Sequence, residues 1–153
     1  MRTVTAKLTL KKSAPVAIGK VIMPTTQLTA PITLTGLVKP GEQVGRTLGF
    51  PTANLELDAT KLTLQPGVYA GWSTIHQQRH WCLPYFGPRL VFGETHDVFE
   101  VYIGDFSGDL YGQIIQVELT HWLRPPVPFS SLEALRTQLE LDKANGRAVL
   151  GVT

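Results

Sequence analysis

Apolar and polar residues alternate with a period of two along much of this chain, the spacing that sends successive side chains to opposite faces of a strand. Val4, Ala6, Leu8 and Leu10 alternate with Thr5, Lys7 and Thr9, and Val16–Met23 forms a second candidate strand ending at Pro24. Ile32–Lys39 is a third, closed by Pro40-Gly41. Val68–Ile75 and Trp81–Phe86 flank His76-Gln77-Gln78-Arg79-His80 as a hairpin with a polar tip, and Val98–Ile103 and Gln113–Trp122 form a second pair around Gly104–Gly112. In the last of these, Ile115, Val117 and Leu119 alternate with Gln116, Glu118 and Thr120, so one face is buried and the other wet. Helical spacing appears only near the C-terminus. Ser130 with Glu133 makes a capping box there, and Leu132, Leu135 and Leu139 fall on one stripe, with Gly146 as the expected stop. A run of strands followed by one helix argues against a doubly wound parallel sheet and predicts an antiparallel barrel with the helix packed on it.

Composition narrows the class. A chain of 153 residues holds one domain with a real core, and 43% hydrophobic against 17% charged residues is a globular balance. Fourteen basic and twelve acidic residues leave a net charge of +2 with no run of like charges, so the electrostatic footprint of a nucleic-acid binder is missing. Cys82 is the only cysteine, which rules out an internal disulfide or a multi-cysteine metal site and fits a reducing cytoplasm. No apolar stretch approaches the roughly 20 residues of a membrane helix. The alternation at Val4–Leu10 reads as a strand rather than a targeting signal.

Three features could carry chemistry. The stretch from Gly41 to Phe50 places Gly41, Gly45 and Gly49 around Arg46, which can expose backbone N–H groups to a phosphate or form a mobile turn. A Walker-type loop is rejected, because the spacing before Gly45-Arg46-Thr47 is one residue short and a following long helix is absent. If Pro51 leads into a strand, Thr52 and Asn54 point the same way and offer two hard oxygen donors suited to Mg²⁺, or each closes a local turn. Glu100 lies on the strand face opposite Phe99, Val101 and Ile103, and so meets either water or a ligand cleft. His76, His80 and Cys82 make a poor metal site, since a hairpin tip splays them and a fourth ligand is missing. Trp72, Trp81 and Trp122 read as core or rim residues, and no nucleophile elbow occurs.

In order and spacing, these pieces resemble the riboflavin kinase family. The matching stretches are Gly45-Arg46-Thr47-Leu48-Gly49-Phe50-Pro51-Thr52-Ala53-Asn54, Pro66-Gly67-Val68-Tyr69-Ala70, Glu100 with Asp105-Phe106, and Gly108-Asp109-Leu110-Tyr111-Gly112. Leu123-Arg124-Pro125, Phe129 and Ser131-Leu132-Glu133-Ala134-Leu135 continue them. The resemblance implies a six-stranded antiparallel Greek-key β-barrel with a C-terminal helix, to which the N-terminal strands would be additions. It implies that Thr52 and Asn54 hold Mg²⁺, with Mn²⁺ or Zn²⁺ as alternatives, and that Gly45, Arg46, Gly49, Pro51 and Tyr111 join them in binding ATP. Glu100 would be the catalytic base near the ribityl 5′-hydroxyl, and Arg124 and Phe129 would contact the flavin.

The chain departs from the family pattern at Tyr85-Phe86-Gly87-Pro88-Arg89-Leu90, where relatives carry Asn-x-Gly-x-Arg/Asn-Pro, and at Tyr102 and Pro126, where they carry His and Glu. The resulting expectation is a kinase-like domain over residues 31–153 preceded by an extension over 1–30 whose strands pack on the barrel. Its partners would be riboflavin/FMN and ATP/ADP, with no nucleic acid, no membrane and a monomeric state. FAD synthesis is not expected, because the nucleotide-binding signature of the family's usual N-terminal adenylyltransferase module is missing. The alternative is a weak or inactive flavin- or nucleotide-binding barrel with a regulatory role.

Overall fold

The computed structural model of the protein describes residues 12–18, 21–40, 48–57, 63–90 and 93–153. The candidate strand Val4–Leu10, with Gly45 and Arg46, lies outside them. Among the described residues seven strands precede one helix: β1 Lys12–Ile18, β2 Val21–Lys39, β3 Thr52–Glu56, β4 Gly67–Ile75, β5 Gln78–Pro88, β6 Asp97–Ile103, β7 Ile114–Arg124 and α1 Leu132–Leu150. All pairings are antiparallel, and the sheet runs β1-β2-β3-β6-β5-β4-β7, with β2 also pairing β7.

This corrects the expected six-stranded barrel. Among the described residues the sheet has seven strands and β1 pairs with β2 alone, so it is not the closed six-stranded barrel predicted. The cause is the length of β2, whose 19 residues carry it past Pro24 and Pro31, where the sequence pattern suggested breaks. Proline is tolerated on an edge or at a bulge because it cannot donate to a ladder. Pro24 pairs only with Pro15 on β1, and Pro31 lies where the β2–β7 register shifts between Gln27 and Ile32.

Alternation builds the core as expected. Phe99, Val101 and Ile103 on β6 and Ile115, Val117 and Leu119 on β7 are buried together with Leu34, Val38, Ala53, Leu55, Cys82 and Phe86. The reverse face of β4 and β5 carries Val68, Ala70, Trp81 and Leu83, against which Val149, Leu150 and Val152 pack from the end of α1. Gly146 does not stop that helix. A Cβ there would lie 2.3 Å from Leu83 Cδ2, so the missing side chain lets the helix approach the sheet. The cap is Ser131, whose hydroxyl accepts from Ala134 N–H at 3.1 Å, and the stop is Gly151 at φ 69°. The β4–β5 hairpin closes on His76-Gln77 alone, both at positive φ (48° and 66°), a turn the usual Asn-Gly signal would not have revealed.

Candidate active site

β3 and β6 set Thr52 opposite Tyr102, Ala53 opposite Val101 and Asn54 opposite Glu100. With a side-chain period of two, Ala53 and Val101 turn to the core, and Thr52, Asn54, Glu100 and Tyr102 share the outer face. Directly opposed residues hold their Cβ atoms about 5 Å apart, so the Asn54 amide and the Glu100 carboxyl are neighbours. The same row continues in both directions. Lys39 on β2 faces Asn54, Tyr85 on β5 faces Glu100, Val68 on β4 faces Tyr85, and Arg124 on β7 faces Val68.

Glu100 is held but not sealed. Arg89 Nε donates to its Oε1 at 2.8 Å, Nη2 lies 2.7 Å from the same oxygen as an ion pair, and the two side chains are 11% and 22% exposed. Arg89 Nη1 lies 3.6 Å from Glu94 Oε2 on its other side. The Tyr85 hydroxyl donates to the Pro88 carbonyl. Burial pushes that phenol up to about 12, with Glu100 and Asp97 adding to the shift and Arg124 opposing it.

A cavity of about 350 Å³ opens beside this face, lined by Pro51, Tyr102, Ile103, Asp105, Phe106 and Ser107. Its wall is rigid for a reason visible at Gly104. A Cβ there would lie 1.9 Å from the Trp81 ring, and the indole N–H donates to Asp105 Oδ2 at 2.9 Å. Tyr102 sits between Phe50 and Trp81, with ring centroids 5.5 and 5.8 Å away.

Thr52 is exposed and Asn54 half-buried, and among the described residues neither side chain is engaged in a hydrogen bond. Two unengaged hard oxygens on one face, with a carboxylate opposite, fit Mg²⁺, which takes few protein ligands and fills its octahedron with water and phosphate oxygens. No cluster of three His, Cys, Asp or Glu side chains occurs among the described residues, so a cage built of such ligands is not what the chain offers there.

The remaining predicted residues fall at three places. Gly49, at φ 81°, turns the chain just before buried Phe50, and Pro51 is exposed on the cavity wall. Tyr111 is exposed, its N–H held by Asp109 Oδ1 at 2.9 Å, and the following Gly112 N–H bonds to Val38 O at the end of β2. Arg124 is buried at 3% exposure. Its Nε and Nη2 donate to Asp142 Oδ1 and Oδ2 at 2.7 and 2.6 Å, Nη1 donates to Pro125 O, and the guanidinium lies 6.0 Å from the Phe129 ring. Gln138 donates to Asp142 Oδ1 at 3.0 Å. Sequence reasoning missed Asp142, Gln138, Arg89 and Tyr85 as partners. Gln138, Asp142 and Gly146 do recur every fourth residue, but two polar side chains and a glycine read as the wet side of a helix.

A pair of oxygen donors, an opposed carboxylate and an adjoining cavity stand together on an antiparallel sheet. The comparisons with known proteins give the class. The riboflavin kinase (flavokinase) family matches residues 28–150, and the chain belongs to that family. It is 34% identical over 119 residues to a bifunctional riboflavin kinase/FMN adenylyltransferase of Listeria monocytogenes, covering 77% of this chain and 38% of that protein. Among solved structures, a macrolide-efflux protein from Streptococcus pneumoniae superposes with a TM-score of 0.67 at 34% identity, over 76% of this chain and 38% of that one. A riboflavin kinase from Trypanosoma brucei superposes with a TM-score of 0.60 at 25% identity, over 80% of this chain and 81% of that one. No helix among the described residues is long and apolar enough to cross a membrane.

Proposed function

We propose that this chain transfers the γ-phosphoryl group of ATP to the ribityl 5′-hydroxyl of riboflavin, giving FMN and ADP. The observation that supports it most is the pairing of Asn54 with Glu100 on an open face beside Thr52, within a chain of the riboflavin kinase family. Phosphoryl transfer passes through a loose transition state in which the protein mainly positions groups and offsets charge. Thr52 and Asn54 would hold Mg²⁺, or Mn²⁺ or Zn²⁺ in its place, and the bound ion would supply charge stabilisation to the phosphate oxygens.

In this reading the cavity beside Pro51 and Tyr102 receives the nucleotide, Gly45, Arg46, Gly49 and Tyr111 support its phosphates, and Glu100 accepts the hydroxyl proton. Phe129 meets the flavin, and Arg124 holds the Phe129 segment through Pro125 O rather than offering a free guanidinium. The extension over residues 1–30 and the domain over 31–153 are joined by the continuous strand β2.

The test is direct. Purified chain incubated with riboflavin and Mg-ATP should yield FMN on reversed-phase chromatography, and the yield should fall when EDTA is added. Absence of FMN overturns the assignment. Flavin binding without FMN would favour the weak or inactive binder, a reading motivated by the grip of Arg89 on the Glu100 carboxylate.

A further inference from the structure

We propose that Arg89, aimed by Tyr85, is a positioning residue that fixes which carboxylate oxygen of Glu100 takes the substrate proton. The proposal rests on Glu100 being the base. Arginine usually grips a carboxylate with two parallel bonds, one to each oxygen. Here the Nε bond and the Nη2 ion-pair contact converge on Oε1. Both contacts fall on that oxygen, so Oε2 is left as the acceptor, and among the described residues it carries no hydrogen bond. The carboxyl group is thereby oriented, and one of its oxygens is reserved.

Tyr85, Pro88 and Glu94 bear on the aim of Arg89. Tyr85 stands opposite Glu100 in the β5–β6 register. Its hydroxyl is bonded to the carbonyl of Pro88, the residue before Arg89, so the peptide that launches the guanidinium is tied to the strand position facing its target. Glu94 Oε2 lies behind Nη1 at 3.6 Å, is buried, and has no hydrogen-bond partner of its own, which places a second negative charge on the far side of the guanidinium. Arg89 is held between two carboxylates, and only one of them faces Asn54.

Steady-state kinetics of R89Q, R89K, R89A, Y85F and E100Q, each with a urea midpoint, test this. R89Q should lower kcat by about 10²-fold, the penalty of a reacting group misplaced by around an ångström. Its KM for riboflavin and for ATP should stay within about twofold, since the grip touches neither substrate. R89K, which supplies one point of contact in place of a fork, should lose roughly tenfold, and Y85F less than that. Methylguanidine should restore part of the turnover of R89A and none of that of E100Q, a response that a merely structural role would not produce. If R89Q fails to fold, R89K and Y85F decide. Unchanged kcat in R89Q and R89K beside an inactive E100Q overturns the proposal, as does a raised KM at unchanged kcat. Normal turnover of E100Q overturns the base assignment, and the proposal falls with it.

Discussion

Two arginine–carboxylate pairs stand at different points of the same cross-strand row, and they are built differently. Arg124 and Asp142 are 4% and 1% exposed, use both carboxylate oxygens, and gain a third bond from Gln138. Arg89 and Glu100 are 11% and 22% exposed and place both contacts on one oxygen. The first pair joins β7 to α1 and has a hydrogen bond on each carboxylate oxygen, three in all. The second leaves an acceptor unanswered on a face that also carries Thr52 and Asn54. A saturated buried pair fixes the position of its elements, whereas an unsaturated one on an open face can take a proton. The difference lies in how many acceptor sites remain rather than in residue type.

Removing each carboxylate should therefore have opposite consequences. The largest effect is expected from E100Q, which should lower FMN formation by about 10² to 10⁴, the usual worth of a general base. Its urea midpoint should shift less than that of D142A, because the amide keeps an acceptor for Arg89 and the pair is less buried than Arg124–Asp142. Comparable losses of activity and stability in E100Q would erase the contrast. D142A should do the reverse. It leaves Arg124 buried without its counter-charge, at a cost of about 3–5 kcal/mol in unfolding free energy. Replacing both partners at once, as R124M/D142L, should recover most of that loss, since a buried ion pair and a packed apolar pair of similar volume differ little. If the double variant is as unstable as D142A, Asp142 acts through Gln138 instead.

The two pairs also differ in how far they could be read from sequence. The apolar alternation of β6 and β7, the shared face of Thr52 and Asn54, and the outward position of Glu100 follow from a period of two, which is a local property. The family motifs then joined them into one site. Arg124 stands within a motif, yet its partner Asp142 lies 18 positions away on a helix face with no apolar signature, and only the packing of α1 on the sheet brings them together. Arg89 is likewise 11 positions from Glu100, and its aim depends on a hydroxyl-to-carbonyl bond from Tyr85. The strand count failed for a related reason: prolines that end an isolated strand are accommodated in β2 at an edge and at a register shift.

A smaller effect tests the wall between the row and the cavity. G104A forces a methyl group into the Trp81 ring, which a Cβ would approach to 1.9 Å. The indole must shift and its bond to Asp105 must lengthen, at about 1–3 kcal/mol, the range for overpacking a well-filled site. Because Asp105 lines the cavity, KM for ATP should rise while KM for riboflavin stays unchanged. A rise in both would place the flavin on that side and the nucleotide elsewhere.

The smallest effect comes from Tyr85, which faces Glu100 across one strand pairing and Val68, the neighbour of Arg124, across the other. Burial raises its phenol from the ordinary value of 10.0 to about 12, with Arg124 lowering it and Glu100 and Asp97 raising it. A group whose folded value is raised favours the folded state fully below its unfolded value, and that contribution is lost as pH rises through the folded value. The loss therefore falls between about pH 10 and pH 12, where the unfolded chain has released the proton and the folded chain has not. Wild type should lose stability relative to Y85F across that window, on the order of 1 kcal/mol once solvent screening is allowed for. In E100Q the upper end of the window should move to lower pH, because one of the charges opposing ionisation is gone, while removal of Arg124 should move it up. Parallel curves for wild type and Y85F would mean that the phenol is solvated. A window that ignores both substitutions would mean that the two pairs do not share one row electrostatically, even though the register places them on it.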